Sequence, residues 1–133
     1  MTAKEYLSQA YHIDQRINCK MEQIKALREL ATKVNSVLSD MPKARQSGHI
    51  MEKNIAAIID LENEINNDIN KLLNLKKEIA ATIRSMNDFE CQTLLELRYL
   101  NFRTWEQVAD KMGYSKQHVF RIHSKALNLL KIS

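Results

Sequence analysis

A seven-residue repeat of apolar side chains is the sequence feature that most constrains this chain. Between Met51 and Met86 the repeat runs without interruption, and its members are Met51, Ile58, Ile65, Leu72, Ile79 and Met86. Such a repeat keeps one seam of a helix against a partner helix, which is the packing found in coiled coils. We therefore predict one long helix from about residue 48 to about residue 86.

A companion row is predicted beside this repeat. It contains Ile55, Ile69 and Ile83, and its polar interruptions are Glu62 and Lys76. Two neighbouring rows give a stripe wide enough to pack along a second helix.

That second helix is predicted in the first forty residues. Thr2 and Glu5 have the spacing of a capping box, so the helix should begin almost at the first residue. Its apolar positions are Ile13, Ile17, Ile24, Leu27, Ala31, Val34 and Leu38, and Lys20 is the single misfit. Pro42 should end the helix near Leu38, because proline disfavours helix in the preceding residue. A polar connection over residues 41–48 then returns the chain as an antiparallel hairpin.

Some apolar residues lie beside these rows rather than in them. They are Leu30, Val37, Ile59 and Leu73. Exposed apolar surface of this kind favours a partner, and we expect a homodimer through the hairpin. The alternative is that helices at the C-terminal end cover the same residues.

The last 46 residues are predicted to form three shorter helices. Asn87 and Glu90 are spaced as a helix start, and the first helix should cover about residues 89–100. Thr104 and Gln107 make a capping box for the second helix, and Gly113 suits its left-handed end. The third helix should begin after Ser115 and run to about residue 130. A short turn with glycine between two helices indicates a helix-turn-helix over about residues 104–131.

The outward face of the third helix carries the candidate DNA-binding residues. With Val119 and Ile122 turned inward, the helical period places the following residues outward: Ser115, Lys116, Gln117, Phe120, Arg121 and Ser124. Arg121 has the geometry to pair with guanine and Gln117 with adenine. Candidate phosphate contacts are Lys116, Lys125, Lys111 and Arg103. Two alternatives remain open here. The unit could be a plain three-helix bundle with a basic end, and Phe120 could be core or a contact to the hairpin.

Charge and composition agree with this interpretation. The formal net charge is +4, and no acidic residue follows Asp110. Cys19 and Cys91 are far apart and share no ligand spacing with the histidines, so we expect free buried thiols, no metal and no cofactor. Neither a phosphate-binding loop nor a nucleophile motif is present, so we do not expect an enzyme. The chain has no signal-like start and no run of about 20 apolar residues, so we expect a cytoplasmic protein without membrane contact.

Three stretches carry a resemblance to a known family. They are residues 93–100 (TLLELRYL), 104–115 (TWEQVADKMGYS) and 118–123 (HVFRIH). Together they resemble region 4 of bacterial sigma-70-type factors and, more closely, phage-encoded sigma-like transcription regulators of the ArpU and RinA kind. The resemblance implies control of late phage genes, and it makes host RNA polymerase a candidate partner. The chain lacks any counterpart of the region that melts DNA, which favours a regulator over a stand-alone sigma factor.

The sequence thus predicts an all-α protein of two domains. Residues 1–87 should form the long antiparallel hairpin for oligomerisation, and residues 88–133 the helix-turn-helix that binds double-stranded DNA. The expected function is a sequence-specific transcriptional activator. Two alternatives remain: a DNA-packaging protein like a phage terminase small subunit, which would assemble as a ring, and an adaptor that docks on RNA polymerase with little DNA contact.

Overall fold

The computed structural model describes the backbone of residues 1–38 and 44–130 and the side chains of residues 1–33 and 51–130. Within these residues the chain is helical and has no strand, which confirms the all-α prediction. Its helices are α1 (Ala3–Leu38), α2 (Ala44–Arg84), α3 (Phe89–Leu95), α4 (Trp105–Met112) and α5 (Lys116–Leu129), and a π-helical turn, Glu96–Leu100, follows α3. Helix α2 thus includes Ala44, four residues before its predicted start. No helix in these residues is both long enough and apolar enough to span a membrane.

Side chains at the helix starts explain where most of the helices begin. The capping box of Thr2 and Glu5 is present at the start of α1, with both hydrogen bonds at 3.2 Å. The predicted start at Asn87 is wrong by one residue. Asp88 caps α3 instead, because its carboxylate accepts a hydrogen bond of 3.0 Å from the backbone N–H of Cys91.

The described chain divides into two compact units. One consists of Met1–Asp14 together with Lys71–Ser133, and the other is Gln15–Asn70. This division differs from the predicted boundary after residue 87. The start of α1 and the end of α2 belong with the C-terminal helices rather than with the rest of the hairpin.

A single core holds the first unit together. Leu7 and Ala10 of α1 and Ile79 and Ile83 of α2 are fully buried in it. The C-terminal helices contribute the remaining buried side chains, among them Leu94, Leu95, Val108, Val119, Ile122 and Ala126. The burial of Ile83 confirms that part of the predicted companion row.

The loop before α4 also packs within the first unit. Phe102 has a φ of 55°, in the left-handed region. Its ring meets Tyr11 edge-on at 5.8 Å, and the ammonium of Lys76 lies 4.5 Å above it. Lys76, expected as a polar interruption of the companion row, is therefore bound to this loop.

In the second unit α1 and α2 run antiparallel. Arg16 pairs with Asp68 at 2.7 Å, and further along α1 Arg28 pairs with Glu62 at 3.2 Å. Ile17, Ile24 and Ile65 are buried between the helices. The antiparallel order that the hairpin prediction required is therefore present here.

A charged layer interrupts the apolar seam of the second unit. Asp68 is only 3% exposed, and its carboxylate accepts hydrogen bonds from both Arg16 and Lys20. These two bonds hold the pKa of Asp68 at about 2, below its usual value. Lys20, the misfit in the first heptad pattern, is thus the partner of a buried carboxylate.

The companion row of α2 differs from the prediction. Ile55 is 54% exposed and Ile69 is 46% exposed, so their assignment to the seam was wrong. The more buried row in this unit contains Asn54, Leu61 and Asp68. The ion pairs of Asp68 hold that row inward, and a hydrophobicity pattern cannot anticipate a buried carboxylate. Leu30, Ile59 and Leu73 are exposed, as expected, while the side chain of Val37 lies outside the described residues.

Candidate nucleic-acid interface

Helices α4 and α5 are joined by a turn at Gly113. The capping box of Thr104 and Gln107 begins α4, with hydrogen bonds of 3.0 and 3.2 Å, as predicted. Gly113 ends it with a φ of 73°, and a Cβ there would meet no atom within 4 Å. The residue is therefore glycine because of its left-handed backbone rather than because space is short. Ser115 then caps α5 by accepting a hydrogen bond of 3.2 Å from the N–H of His118.

The buried side of α5 fixes which residues face outward. Val119, Ile122 and Ala126 are buried against the core of the first unit. By the helical period, Gln117, Arg121 and Ser124 lie opposite them. All the predicted contact residues of α5 are exposed: Ser115, Lys116, Gln117, Phe120, Arg121, Ser124 and Lys125.

The two remaining predicted contacts differ from each other. Lys111, in the last turn of α4, is exposed. Arg103 is half-buried, and its Nε has no hydrogen-bond partner in the described part of the chain. Its backbone carbonyl accepts a 2.8 Å hydrogen bond from the guanidinium of Arg98. Arg103 is thus partly withdrawn from the surface that the sequence assigned to it.

Two of the lysines predicted to contact phosphate already have acidic partners. Lys116 pairs with Glu106 at 2.6 Å, and Lys125 pairs with Asp88 at 2.9 Å. The hydrogen bond from Lys125, followed by the one from the backbone of Cys91, holds the pKa of Asp88 at about 2. Neither pair was predicted from the sequence, because the charges within α5 alone do not show them. The acids come from the first turn of α4 and from the cap of α3.

Arg121 differs from these two lysines in its charge partners. It is exposed, and it has no ion pair among the residues that the structure describes. It lies between the two lysine pairs along α5, on the face away from the core. Arg121 is therefore available to a ligand without first giving up a carboxylate.

Phe120 belongs to a small aromatic cluster at the surface. Its ring meets Trp105 edge-on at 5.2 Å, yet 44% of the residue is exposed. Trp105 also meets His123 at 4.7 Å and carries the guanidinium of Arg98 4.5 Å above its ring. Of the roles left open by the sequence, burial in the core does not describe Phe120. The cluster itself was not predicted.

His123 is held neutral beneath this cluster. Its Nε2 lies 2.6 Å from the hydroxyl of Tyr99. Burial, and then the positive charges of Lys4 and Arg98, lower the pKa of His123 to about 4. A neutral imidazole is thus part of the packing between α5 and the π-helical turn.

The low pKa of His123 predicts a pH dependence of folding. The unfolded chain binds a proton to this residue near pH 6.5, whereas the folded chain resists it down to about pH 4. We therefore expect that this residue does not lower the free energy of unfolding above pH 6.5, and that the free energy of unfolding falls as the pH drops towards 4. His123→Gln should weaken this fall in urea titrations at several pH values. His12→Gln is the matched control, because that side chain is exposed. Equal pH profiles for both variants would contradict the assignment.

The histidine, cysteine and acidic side chains bear on the predictions about metal and thiols. Among the described residues, no group of three histidine, cysteine or acidic side chains is placed to hold a metal ion. Cys91 is buried, and burial is the main cause that raises the pKa of its thiol to about 11. Cys19 is exposed, contrary to the expectation that both thiols are buried.

The described residues form an all-α protein in which a turn at Gly113 joins α4 to α5. The chain belongs to the family described as "Protein of unknown function (DUF1492)", whose model matches residues 43–131. The match includes α2 and all of the candidate interface. No curated protein and no solved structure matches the chain.

Proposed function

We propose that the chain is a sequence-specific DNA-binding transcription regulator, which places α5 in the major groove and activates late genes of a phage or prophage. The observation that carries the proposal is the exposed polar face of α5, formed by Gln117, Arg121 and Ser124 opposite a buried apolar face. The resemblance of residues 93–123 to sigma region 4 and to the ArpU and RinA regulators supports the same conclusion.

The side chains of this face suit base recognition. A major groove about 12 Å wide admits one α-helix. Arg121 can donate two hydrogen bonds to O6 and N7 of guanine, and Gln117 can pair with N6 and N7 of adenine. The hydroxyl of Ser124 can donate a hydrogen bond to either base or accept one from it.

The lysines on the flanks suit the phosphates on both sides of the groove. Lys116 and Lys125 are each more than half exposed, and so is Glu106. Exposed ion pairs contribute only about 0–1 kcal/mol, so a phosphate can replace Glu106 at little cost. Asp88 is 26% exposed, so replacing it at Lys125 costs more. Glu106 and Asp88 would then lower the affinity for DNA without preventing binding.

Variants of the ion pairs test this role directly. Lys116→Ala and Lys125→Ala should weaken binding to every duplex and reduce the slope of log affinity against log salt by about 0.9 each. Glu106→Gln and Asp88→Asn should do the opposite and tighten binding, because each frees a lysine. Asparagine at position 88 preserves the cap of α3. Fluorescence anisotropy with a random duplex at several salt concentrations measures all four variants.

The exposed Lys53 on α2 provides the control, since Lys53→Ala removes a positive charge that is not part of the candidate interface. The proposal is lost if the wild-type protein shows no salt-dependent binding. It is also lost if Lys53→Ala changes the slope as much as Lys116→Ala.

The aromatic cluster supports a second candidate function, an adaptor that docks on RNA polymerase with little DNA contact. A half-exposed Phe120 held by Trp105 is the kind of apolar anchor found in protein interfaces. Phe120→Ala separates the two functions. An adaptor would lose polymerase binding in a pull-down with purified enzyme, whereas a DNA reader would lose affinity for duplex DNA.

A further inference from the structure

A second apolar stripe runs along α2, outside the seam with α1. Its apolar members are about half exposed: Ile55 (54%), Ile59 (49%), Ile69 (46%) and Leu73 (51%). Glu62 and Asn66 occupy the two intermediate positions of the stripe and are exposed as well. The spacing alternates between four and three residues, which keeps all six positions on one face of the helix.

The pattern of apolar and polar residues in this stripe is the same from both ends. Two apolar residues come first, Glu62 and Asn66 follow in the middle, and two apolar residues come last. A two-fold dimer packs one patch against its own copy, so the patch must be complementary to itself when reversed. An antiparallel pair of α2 helices centred between Glu62 and Asn66 meets this condition.

We propose that a second copy of this chain covers the stripe, with α2 packed antiparallel against α2 of that copy. In this register Ile59 faces Ile69 of the second copy, and Ile55 faces Leu73 of the second copy. The inference goes beyond the proposed function and does not depend on it, because it concerns a different surface and holds whether or not α5 binds DNA.

The polar centre of the stripe fits the same arrangement. Glu62 faces Asn66 of the second copy, whose side-chain amide can donate a hydrogen bond to the carboxylate. Within its own chain Glu62 already pairs with Arg28 at 3.2 Å. Each carboxylate therefore enters the interface with its own counter-charge, which limits repulsion between the two copies.

Helix α1 adds to this face within the second unit. A groove between α1 and α2 is lined by Met21, Ile24, Arg28, Glu62, Ile65 and Asn66. Met21 is exposed, and its flexible side chain can fill an irregular gap at an interface. The groove shares Glu62 and Asn66 with the stripe, so the apolar face continues beyond α2.

The first test is the oligomeric state. Ile59→Asp with Ile69→Asp should raise the dissociation constant of the dimer at least about tenfold in sedimentation experiments. Helix content by circular dichroism should stay the same, because both residues are half exposed. The matched control is Ala56→Asp with Asn63→Asp, which changes two exposed residues on the outer side of α2 and should remain dimeric. A wild-type chain that is monomeric at micromolar concentration overturns the proposal, and so does a ring.

The second test fixes orientation by disulfide formation in a Cys19→Ser background. Within one helix positions 59 and 69 are about 15 Å apart, too far for an internal disulfide. Ile59→Cys with Ile69→Cys should therefore give a covalent dimer on oxidation, whereas either cysteine alone should not. A covalent dimer from Ile59→Cys alone would indicate parallel packing and overturn the proposal. Absence of a covalent dimer from the double variant would overturn it too.

Discussion

Replacing Arg121 with alanine is expected to cost about 1–3 kcal/mol of affinity at the specific DNA site and to relax the preference at one base pair. The side chain is exposed on the face of α5 opposite Val119 and Ile122. No carboxylate pairs with it among the described residues, in contrast to Lys116 and Lys125. The whole guanidinium is therefore available to a guanine. Loss of the side chain should lower the affinity for the specific site and leave the stability of the fold nearly unchanged.

Arg121→Lys separates geometry from charge. The lysine keeps the positive charge but cannot make two parallel hydrogen bonds, so affinity for random DNA should be nearly unchanged while specific affinity falls. The preferred site is first obtained by selection from a random duplex pool, and each variant is then titrated with the selected and the random duplex. Arg84→Ala, at the end of α2, is the control. A loss by the same factor on both duplexes would show that Arg121 contacts phosphate.

The largest effect on stability is expected from removing both cations that face Asp68. The double variant Arg16→Gln with Lys20→Met leaves a carboxylate that is 3% exposed without a counter-charge. Because the side chain of Arg16 is 53% exposed, the cluster is only partly buried, and we expect a loss of about 1–3 kcal/mol of unfolding free energy. Urea titration monitored by circular dichroism measures the loss. Adding Asp68→Leu to the double variant should restore stability, because no buried charge is then left in the layer.

The contribution of Asp68 to the acid response should reverse in this variant. In the wild-type chain the pKa of Asp68 is about 2, below its usual 3.8, so its contribution to stability is full above pH 4 and is lost as the pH falls towards 2. Without the cations, burial raises the pKa of the folded state above the usual value. His123 makes the same contribution in both proteins, so the variant should gain stability relative to the wild-type chain as the pH is lowered from 7. A difference in unfolding free energy between the two proteins that does not shrink on acidification would contradict the role assigned to Asp68.

The sequence predicted the elements that depend on local chemistry. The capping boxes at Thr2 and Thr104, the left-handed end at Gly113 and the cap at Ser115 are all present, because each acts within four residues. The seam of α1 with Ile17 and Ile24 was also predicted, since both are apolar and buried.

The companion row of α2 was not predictable from hydrophobicity. Ile55 and Ile69 compete with Asn54 and Asp68 for the inner position, and the apolar residues are the ones left outside. The choice depends on Arg16 and Lys20, which lie about fifty residues away. Lys20 was visible as a misfit, but nothing in the local pattern identifies its partner.

The candidate interface was likewise only partly predictable from the sequence. Exposure of Gln117, Arg121 and Ser124 followed from the inward position of Val119 and Ile122, which a helical period fixes. The ion pairs of Lys116 and Lys125 did not follow, because their carboxylates come from other helices. The support of Phe120 by Trp105 likewise depends on how α4 crosses α5.

The shared core of the first unit bears on how the protein folds during synthesis. Leu7 and Ala10 are synthesised about 120 residues before Leu130, yet their buried cluster is complete only when Leu130 has been made. At about 5–20 residues per second, these side chains remain in water for several seconds. Contacts between residues so distant in sequence also form slowly. We therefore expect folding of this unit, and with it the surface of α5, to be completed only after Leu130 has left the ribosome.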